Sequence, residues 1–197
     1  ISEWGNDFRP EYRNISSLRT LNKDLSFIAL TATATPEVVE DIEEQLSFKE
    51  SNKIKKSFIR NNINYSVINA IDKEKVLVKL LTNESSIIYV RNRKKTKELS
   101  KLLNSKNYKT DYYHAGLDFR KRSEKQTKWI NNEFDTMIAT NAFGMGIDKP
   151  DIKTVIHFDL PETLESFYQE SGRAGRNGKA SFSIILKDDQ DIENLKK

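Results

Sequence analysis

The chain has 197 residues, a formal net charge of +4, no cysteine and two histidines. The lack of cysteine excludes a disulfide framework and a structural zinc site of the usual thiolate type, while the modest positive charge permits a polyanionic partner without requiring one. No apolar run approaches the roughly 18 residues of a membrane span and no signal-peptide layout begins the chain, so we expect no membrane association and a reducing, intracellular setting.

The first fifty residues predict a strand, a loop and a helix. An aromatic-rich loop, ISEWGNDFRPEY, precedes a short polar helix candidate and the apolar run FIAL at residues 27–30, which is of strand type. In TATATPEVVEDIEEQL, Thr35 suits the N-cap, Pro36 the first helical position and Glu37 the positive end of the helix dipole. One face of this helix would carry Val38, Val39, Ile42 and Leu46.

After a polar and basic connection, short apolar strand candidates alternate with amphipathic helix candidates. The strand candidates are SIIYV, TDYYHAG, TMIAT, TVIHFDL and SFSIILK, and the helix candidates are KKTKELSKLLNS, FRKRSEKQTKWI and TLESFYQES. This alternation predicts βαβ crossovers and a mostly parallel sheet covered by helices on both faces.

Loops beyond the carboxyl ends of parallel strands are where function usually collects. The loop in ATNAFGMGIDKPDIKTVIHF carries Gly144, Gly146 and Asp148, so its backbone could approach a phosphate or ribose closely. The alternative is a tight turn at positive φ with no ligand.

QESGRAGRNG holds two arginines, Arg173 and Arg176, three positions apart among glycines. If the preceding helix continues, both side chains lie on one side as i,i+3 neighbours. A planar guanidinium matches phosphate oxygens, and one aimed at a transferring γ-phosphoryl group raises rates by about 10³ to 10⁵. The alternative is a solvated basic helix end.

Two further segments suit nucleic acid. Trp4, Phe8 and Arg9 could form a stacking platform for single-stranded bases, or the rings could simply fill a core. The basic run RNRKKTK could contact phosphates, although a solvated helix start is the commoner role of such a run, and His114 could be a structural histidine.

Together and in this order, the segments resemble the RecQ family of superfamily 2 DNA helicases. ISEWGNDFRPEY is similar to the aromatic-rich loop of that family, LTATAT to motif III, SIIYVRNR to motif IV, YYHAGL to the segment that follows, ATNAFGMGIDKPDIKTVIHFDLP to motif V and YQESGRAGRNG to motif VI. The resemblance spans almost the whole chain.

The resemblance implies an ATP-dependent DNA helicase that moves 3′ to 5′ on single-stranded DNA and unwinds duplexes in recombination and repair. Its α/β fold would have two RecA-like lobes, each a parallel sheet flanked by helices, with ATP and Mg²⁺ between them and DNA across the top. Residues 1–52 would be the end of the first lobe, and residues 53–197 a nearly complete second lobe. A single-strand-binding protein is a candidate partner, and the oligomeric state is open.

The resemblance also assigns roles to individual residues. Arg176 would be the arginine finger with Arg173 beside it, Gly146 and Asp148 would line the nucleotide, and Gln169 would lie between the nucleotide and the DNA. The residues expected to sense DNA and couple it to ATP hydrolysis are Trp4, Asp7, Phe8, Arg9, Thr31, Ala32 and Thr33. Those expected to contact the DNA backbone are Arg93, His114 and Thr140.

Some positions depart from the family pattern. Asn6 replaces histidine, Val90 cysteine, Asn92 serine and Asn141 a small or branched apolar residue. The phosphate-binding sequence G-x-x-x-x-G-K-[ST] and the Mg²⁺-binding DEAH do not occur, and neither do the zinc, winged-helix and HRDC modules. Since the chain begins at Ile1 inside a motif-like segment, we expect a piece of a longer polypeptide that does not hydrolyse ATP by itself.

Two alternative functions stay open. A DEAD-box RNA helicase is less favoured because that family usually carries SAT in motif III and HRxGRxxR in motif VI, and lacks the aromatic loop. A binding-only module that has lost catalysis is the other alternative.

Overall fold

The computed structural model describes residues 10–22, 25–31, 34–48, 50, 52–57, 59–144 and 148–195. The chain divides into two compact units, Ile1–Phe58 (unit 1) and Ile59–Lys197 (unit 2). The assignment of these units to a first and a second helicase lobe stays a prediction. In the described ranges, no helix has the combination of length and apolar character that a membrane crossing needs.

Unit 1 contains helices in its described residues. A 3₁₀ helix, Pro10–Ser17, leads into α1, Leu18–Leu21, and α2 spans Pro36–Gln45. The predicted start of α2 is confirmed, since the Thr35 side chain accepts a hydrogen bond from the Val38 amide at 3.4 Å.

The strand predicted at residues 27–30 is wrong. This segment has no regular secondary structure, and Ile28 and Leu30 are 84% and 91% exposed. The described residues of unit 1 contain no strand with which it could pair, and an extended segment without a ladder partner gains little from its apolar side chains.

Unit 2 is built on a six-stranded sheet in which every pair of neighbours is parallel, which confirms the predicted fold class. The strand order is β1-β6-β5-β2-β4-β3. The strands are β1 (Ile63–Asn69), β2 (Ser86–Tyr89), β3 (Thr110–Tyr113), β4 (Thr136–Ala139), β5 (Thr154–His157) and β6 (Ser181–Lys187).

Five helices connect or follow these strands: α3 (Lys73–Leu80), α4 (Arg93–Asn104), α5 (Phe119–Ile130), α6 (Leu164–Ser171) and α7 (Asp189–Leu195). Four of them begin at a side-chain cap that accepts a backbone N–H, provided by Asp72, Asn92, Asp118 and Thr163. The five predicted strands and three predicted helices of this unit are confirmed, whereas β1, α3 and α7 are additional.

Helices on both faces of the sheet enclose two apolar clusters. The alternation of side chains along β2 places fully buried Ile87 in one cluster and fully buried Ile88 in the other. The first cluster includes Trp129 and Phe143. Two such clusters explain why the central strands are continuous apolar runs instead of alternating ones.

The register of the central strands fixes where the loops meet. Tyr89 pairs with both Ala139 and His157, and Tyr113 also pairs with Ala139. Because the carboxyl ends of these strands are level, the residues that follow them lie side by side along one edge of the sheet. We call this edge the carboxyl edge.

Candidate functional site

The glycine-rich segment that carries both arginines is a loop. Helix α6 ends at Ser171, and Gly175 adopts a φ of +57°, where a Cβ would lie 2.5 Å from Asn62 Nδ2 and from Ser181 Oγ. The chain therefore leaves the helix before Arg173, and the predicted helical i,i+3 arrangement of the two arginines is wrong. Both arginines nevertheless contact the segment between β4 and β5, Arg173 at Gly144 and Arg176 at Asp148.

Arg173 lies directly on the backbone of that turn. Its Nη1 donates to the Gly144 carbonyl oxygen, and a Cβ on Gly144 would lie 2.9 Å from Nε and closer still to Cζ and Nη2. A side chain at position 144 would therefore displace the Arg173 guanidinium. The Nε of Arg173 is buried and has no hydrogen-bond partner in the described structure.

Tyr89 supports this contact from the core. Its hydroxyl, at the carboxyl end of β2, donates to the Phe143 carbonyl oxygen at 3.0 Å, while the Phe143 ring packs on Tyr113 and Trp129. Burial raises the pKa of Tyr89 and nearby Arg173 lowers it, with burial the larger effect, so the phenol stays a neutral donor. Phe143, the residue before Gly144, is therefore held both through its ring and through its carbonyl oxygen.

Arg176 contacts Asp148, four positions after Gly144 in the chain. Its Nη1 lies 3.1 Å from Asp148 Oδ1, and the two side chains are 37% and 86% exposed. Gly146, predicted with Asp148, lies outside the described residues. Gln169 is exposed, and its Nε2 donates to Glu165 Oε1 at 3.1 Å within α6.

Two residues just before β1, which the sequence does not single out, donate hydrogen bonds to the loop after α6. We call this loop, residues 172–178, the arginine loop. Arg60 donates to the carbonyl oxygens of Gly172, Ala174 and Gly175 at 2.9 to 3.3 Å. The Asn62 amide also donates to Gly175, at 2.8 Å. They are more than 100 positions away from the loop in sequence, so no local pattern could reveal them.

A buried histidine–carboxylate contact lies beneath α6. His157 Nε2 is 3.0 Å from Glu170 Oε2, and the His157 ring stacks on Tyr89 with centroids 5.6 Å apart. Glu170, next to the functional candidate Gln169, therefore faces the core.

The predicted DNA-contact residues lie along the carboxyl edge. Arg93 begins α4 after β2, His114 follows β3 and Thr140 follows β4. Arg93 Nη1 and His114 Nδ1 both lie 3.2 Å from the position of a Cβ on Gly116, so these two side chains meet over that glycine. Thr140 is only 6% exposed, and its amide donates to the Tyr113 carbonyl oxygen at 3.3 Å.

His114 is held in its neutral form by its surroundings. Burial lowers the pKa of His114, and the adjacent Arg93 guanidinium lowers it further. The permanent positive charge at this point therefore belongs to Arg93.

Departures from the family pattern have local explanations at two positions. Asn92 caps α4 by accepting from the Lys94 amide at 2.7 Å, a task that a serine side chain can also perform. Val90 is buried, as expected, in the apolar cluster that contains Ile88. Asn141 is exposed.

Several predicted residues lie outside the described part of the chain, namely Trp4, Asp7, Phe8, Arg9, Ala32, Thr33 and, as noted, Gly146. Thr31 is described and is exposed. Within the described residues, no group of three or more His, Asp or Glu side chains could hold a metal ion.

The parallel sheet, its helix layers and the arginine loop on the turn after β4 define a RecA-like lobe of the helicase class. The chain aligns with Saccharomyces cerevisiae Dbp5 bound to RNA and ADP BeF3 at a TM-score of 0.74, with 24% identity over 91% of this chain and 49% of that one. It aligns with the E. coli DEAD-box protein SrmB at 0.59, with 27% identity over 68% and 81%.

The chain belongs to the family of the helicase conserved C-terminal domain, whose sequence model matches residues 72–178. It is 43% identical to the RecQ-like DNA helicase blm-1 of Caenorhabditis elegans over 94% of this chain, and 42% identical to the ATP-dependent DNA helicase RecQ of Bacillus subtilis over 98%. It spans 20% and 33% of the length of these relatives. The resemblance to RecQ helicases is confirmed and outweighs that to DEAD-box proteins.

Proposed function

We propose that this chain is part of a RecQ-type motor that couples ATP hydrolysis to 3′ to 5′ movement on single-stranded DNA and to duplex unwinding in recombination and repair. The observation that carries the proposal is the difference between the contacts of two arginines. Arg173 donates to the backbone at Gly144, while Arg176 is partly exposed and pairs with Asp148. A DNA substrate implies an intracellular site of action.

The residues of this loop fit a nucleotide phosphate. An exposed ion pair such as Arg176–Asp148 is worth about 0 to 1 kcal/mol, so a phosphate can replace the carboxylate at little cost. Asp148, which is 86% exposed, would then be available to a ribose hydroxyl. Phe143 and Gly144, at the start of the turn, need not move, because their carbonyl oxygens are held by Tyr89 and Arg173.

In this proposal ATP supplies the phosphoanhydride bond whose hydrolysis drives movement. Arg176 compensates negative charge at the γ-phosphate, and Arg173 keeps the turn in place so that Arg176 and Asp148 stay in register. Gln169, exposed on α6 one turn before the loop, would respond to the occupancy of both sites. Mg²⁺ enters only through the DEAH carboxylates that the family resemblance assigns to the first lobe.

The DNA strand would follow the carboxyl edge. Arg93 offers a permanent charge to a phosphate, and neutral His114 beside it offers a hydrogen bond. The residues of the aromatic-rich loop and motif III would report this contact to the nucleotide.

The test is ATP turnover by the full-length protein with and without single-stranded DNA. Arg176→Ala should lower DNA-stimulated turnover by at least about 10³ while nucleotide affinity stays within about tenfold, because the charge acts mainly in the transition state. Lys79→Ala, at an exposed lysine of α3, is the control and should behave as wild type. Unchanged turnover in Arg176→Ala would remove this residue from the role of arginine finger.

A further inference from the structure

The most exposed aromatic ring among the described residues is Phe119, at 76%. It is the first residue of α5, whose cap is the neighbouring Asp118, which accepts from the Lys121 amide at 2.9 Å. The helix therefore forms without any contribution from a phenyl ring at position 119, and an exposed ring costs free energy in water. Local structure does not explain this residue.

Phe119 is positioned at the carboxyl edge. A turn closed by the Leu117 amide on the His114 carbonyl oxygen, 3.1 Å apart, follows β3, and α5 begins two residues after Leu117. Phe119 therefore lies on the same edge of the sheet as His114. The Tyr112 ring stacks on the His114 ring with centroids 5.9 Å apart and an interplanar angle of 26°. Three aromatic rings thus belong to this part of the carboxyl edge.

Three acidic side chains near these rings each pair with a lysine: Asp111 with Lys125, Asp118 with Lys121, and Glu124 with Lys128. Among the described residues this pairing leaves two exposed guanidinium groups, those of Arg93 and Arg120, and one carboxylate, that of Glu133, without a salt bridge. The two arginines against one carboxylate give this part of the edge a small cationic excess. A surface that combines exposed rings with excess cationic charge suits single-stranded nucleic acid.

The side chains around Phe119 are polar, which argues against an apolar protein partner. The shallow surface that contains the ring is otherwise lined by Arg120, Ser123, Glu124, Thr127, Lys128 and Glu133. A docking site for an apolar helix would need several adjoining apolar side chains. A single ring among charges needs a flat partner that also carries negative charge.

We propose that Phe119 and Arg120 form a base-stacking site that extends the DNA path from Arg93 and His114 onto the start of α5. Phe119 takes the face of an unpaired base, and Arg120 takes a flanking phosphate. This site rests on the proposed DNA-translocating function and adds to it a preference for single-stranded over duplex DNA.

The test measures binding of a labelled oligothymidylate to the full-length protein by fluorescence anisotropy. Phe119→Ala should weaken binding by about 5- to 150-fold, the range expected for one lost base stack. Phe119→Leu should be as weak as Phe119→Ala because leucine keeps apolar bulk but has no π face, whereas Phe119→Trp should bind at least as tightly as wild type. Full binding by Phe119→Leu would overturn stacking and indicate an apolar contact.

The matched control is Phe182→Ala. Phe182 is also an exposed phenylalanine beside a charged side chain, with Lys153 Nζ 5.5 Å from its ring centroid, but it is the second residue of β6 and lies at the amino ends of the strands, away from the carboxyl edge. This variant should retain wild-type affinity. Equal weakening by Phe182→Ala and Phe119→Ala would show a general loss of structure and would overturn the site.

Salt and duplex measurements separate the two side chains. Phe119→Ala should leave the salt dependence of affinity unchanged and should not weaken binding to a blunt duplex, while Arg120→Ala should reduce the salt slope by about one unit. A wild-type protein that does not bind single-stranded DNA would refute the proposed function itself. Tight wild-type binding that Phe119→Ala leaves intact would refute this inference alone.

Discussion

Arg173 and Arg176 are the same residue type three positions apart, yet their surroundings give them different tasks. Arg173 lies over Gly144 and donates to its carbonyl oxygen, which leaves it little freedom to follow a ligand. Arg176 faces solvent with an exposed carboxylate as its ion-pair partner. One arginine is thus held on the backbone of Gly144, whereas the other forms an exposed ion pair with Asp148.

At the residue scale, we predict that Gly144→Ala lowers the free energy of unfolding by about 1 kcal/mol, because the new Cβ displaces the Arg173 guanidinium and breaks its hydrogen bond to the Gly144 carbonyl oxygen. The φ of Gly144 is not positive, so alanine is otherwise tolerated. In an Arg173→Ala background the same substitution should therefore cost less than about 0.5 kcal/mol. Urea denaturation of the four proteins measures the difference, and equal costs in both backgrounds would contradict this displacement.

At the scale of elements, the arginine loop depends on residues just before β1. The guanidinium of Arg60 donates to three carbonyl oxygens of the loop that follows α6, those of Gly172, Ala174 and Gly175. The positive φ of Gly175 brings the chain close to Asn62, whose side-chain amide donates to the Gly175 carbonyl oxygen. The residues just before the first strand of the unit thus shape the loop that bears Arg173 and Arg176.

We expect Arg60→Ala to lower the free energy of unfolding by about 1.5 to 3 kcal/mol, the usual range for hydrogen bonds to a charged group. Arg60→Lys should recover only part of this loss, because an ammonium lacks the planar fork that reaches several carbonyls. Lys55→Ala, at an exposed lysine, is the control and should stay within about 0.5 kcal/mol of wild type. Urea denaturation of these variants is the measurement, and an Arg60→Ala variant as stable as the control would show that the loop holds itself.

At the scale of the whole molecule, the two units differ in what they bury. Unit 2 has a complete sheet between two apolar clusters, with Ile87, Ile138 and Trp129 fully buried. Among the described residues of unit 1, only Leu46 belongs to the buried apolar set, and Ile28 and Leu30 are exposed. The elements needed for a core are therefore all present in unit 2.

Residues 59–197 produced alone should consequently fold and unfold in one cooperative transition. Trp129 is the only tryptophan in this range, so its fluorescence reports on the first apolar cluster while far-ultraviolet circular dichroism reports on the helices. The two midpoints in urea should coincide, and Ile138→Ala should cost about 2 to 5 kcal/mol. Separate midpoints would show that unit 2 is not a single cooperative unit.

Much of this fold is predictable from local patterns. The start of α2 and the strands β2 to β6 follow from a cap and from short apolar runs, because these signals act over a few residues. Strand β1 has polar residues between its apolar ones and is recognisable only beside β6, with which it pairs from Ile63 to Asn69. The segment at residues 27–30 shows the converse, since an apolar run without a partner does not form a strand.

The sequence by itself determined the family, the parallel α/β architecture and the residue types of the candidate site, because motifs and hydrophobic periodicity are local and specific. Only the tertiary structure decided which arginine is fixed and which is exposed, that Gly144 accommodates a guanidinium, and that Arg60 supports the loop. It also revealed that the ring of Phe119 is exposed at the start of α5, on the carboxyl edge that carries Arg93 and His114. These outcomes depend on contacts between distant parts of the chain, and burial and hydrogen-bond partners exist only once the sheet has brought those parts together.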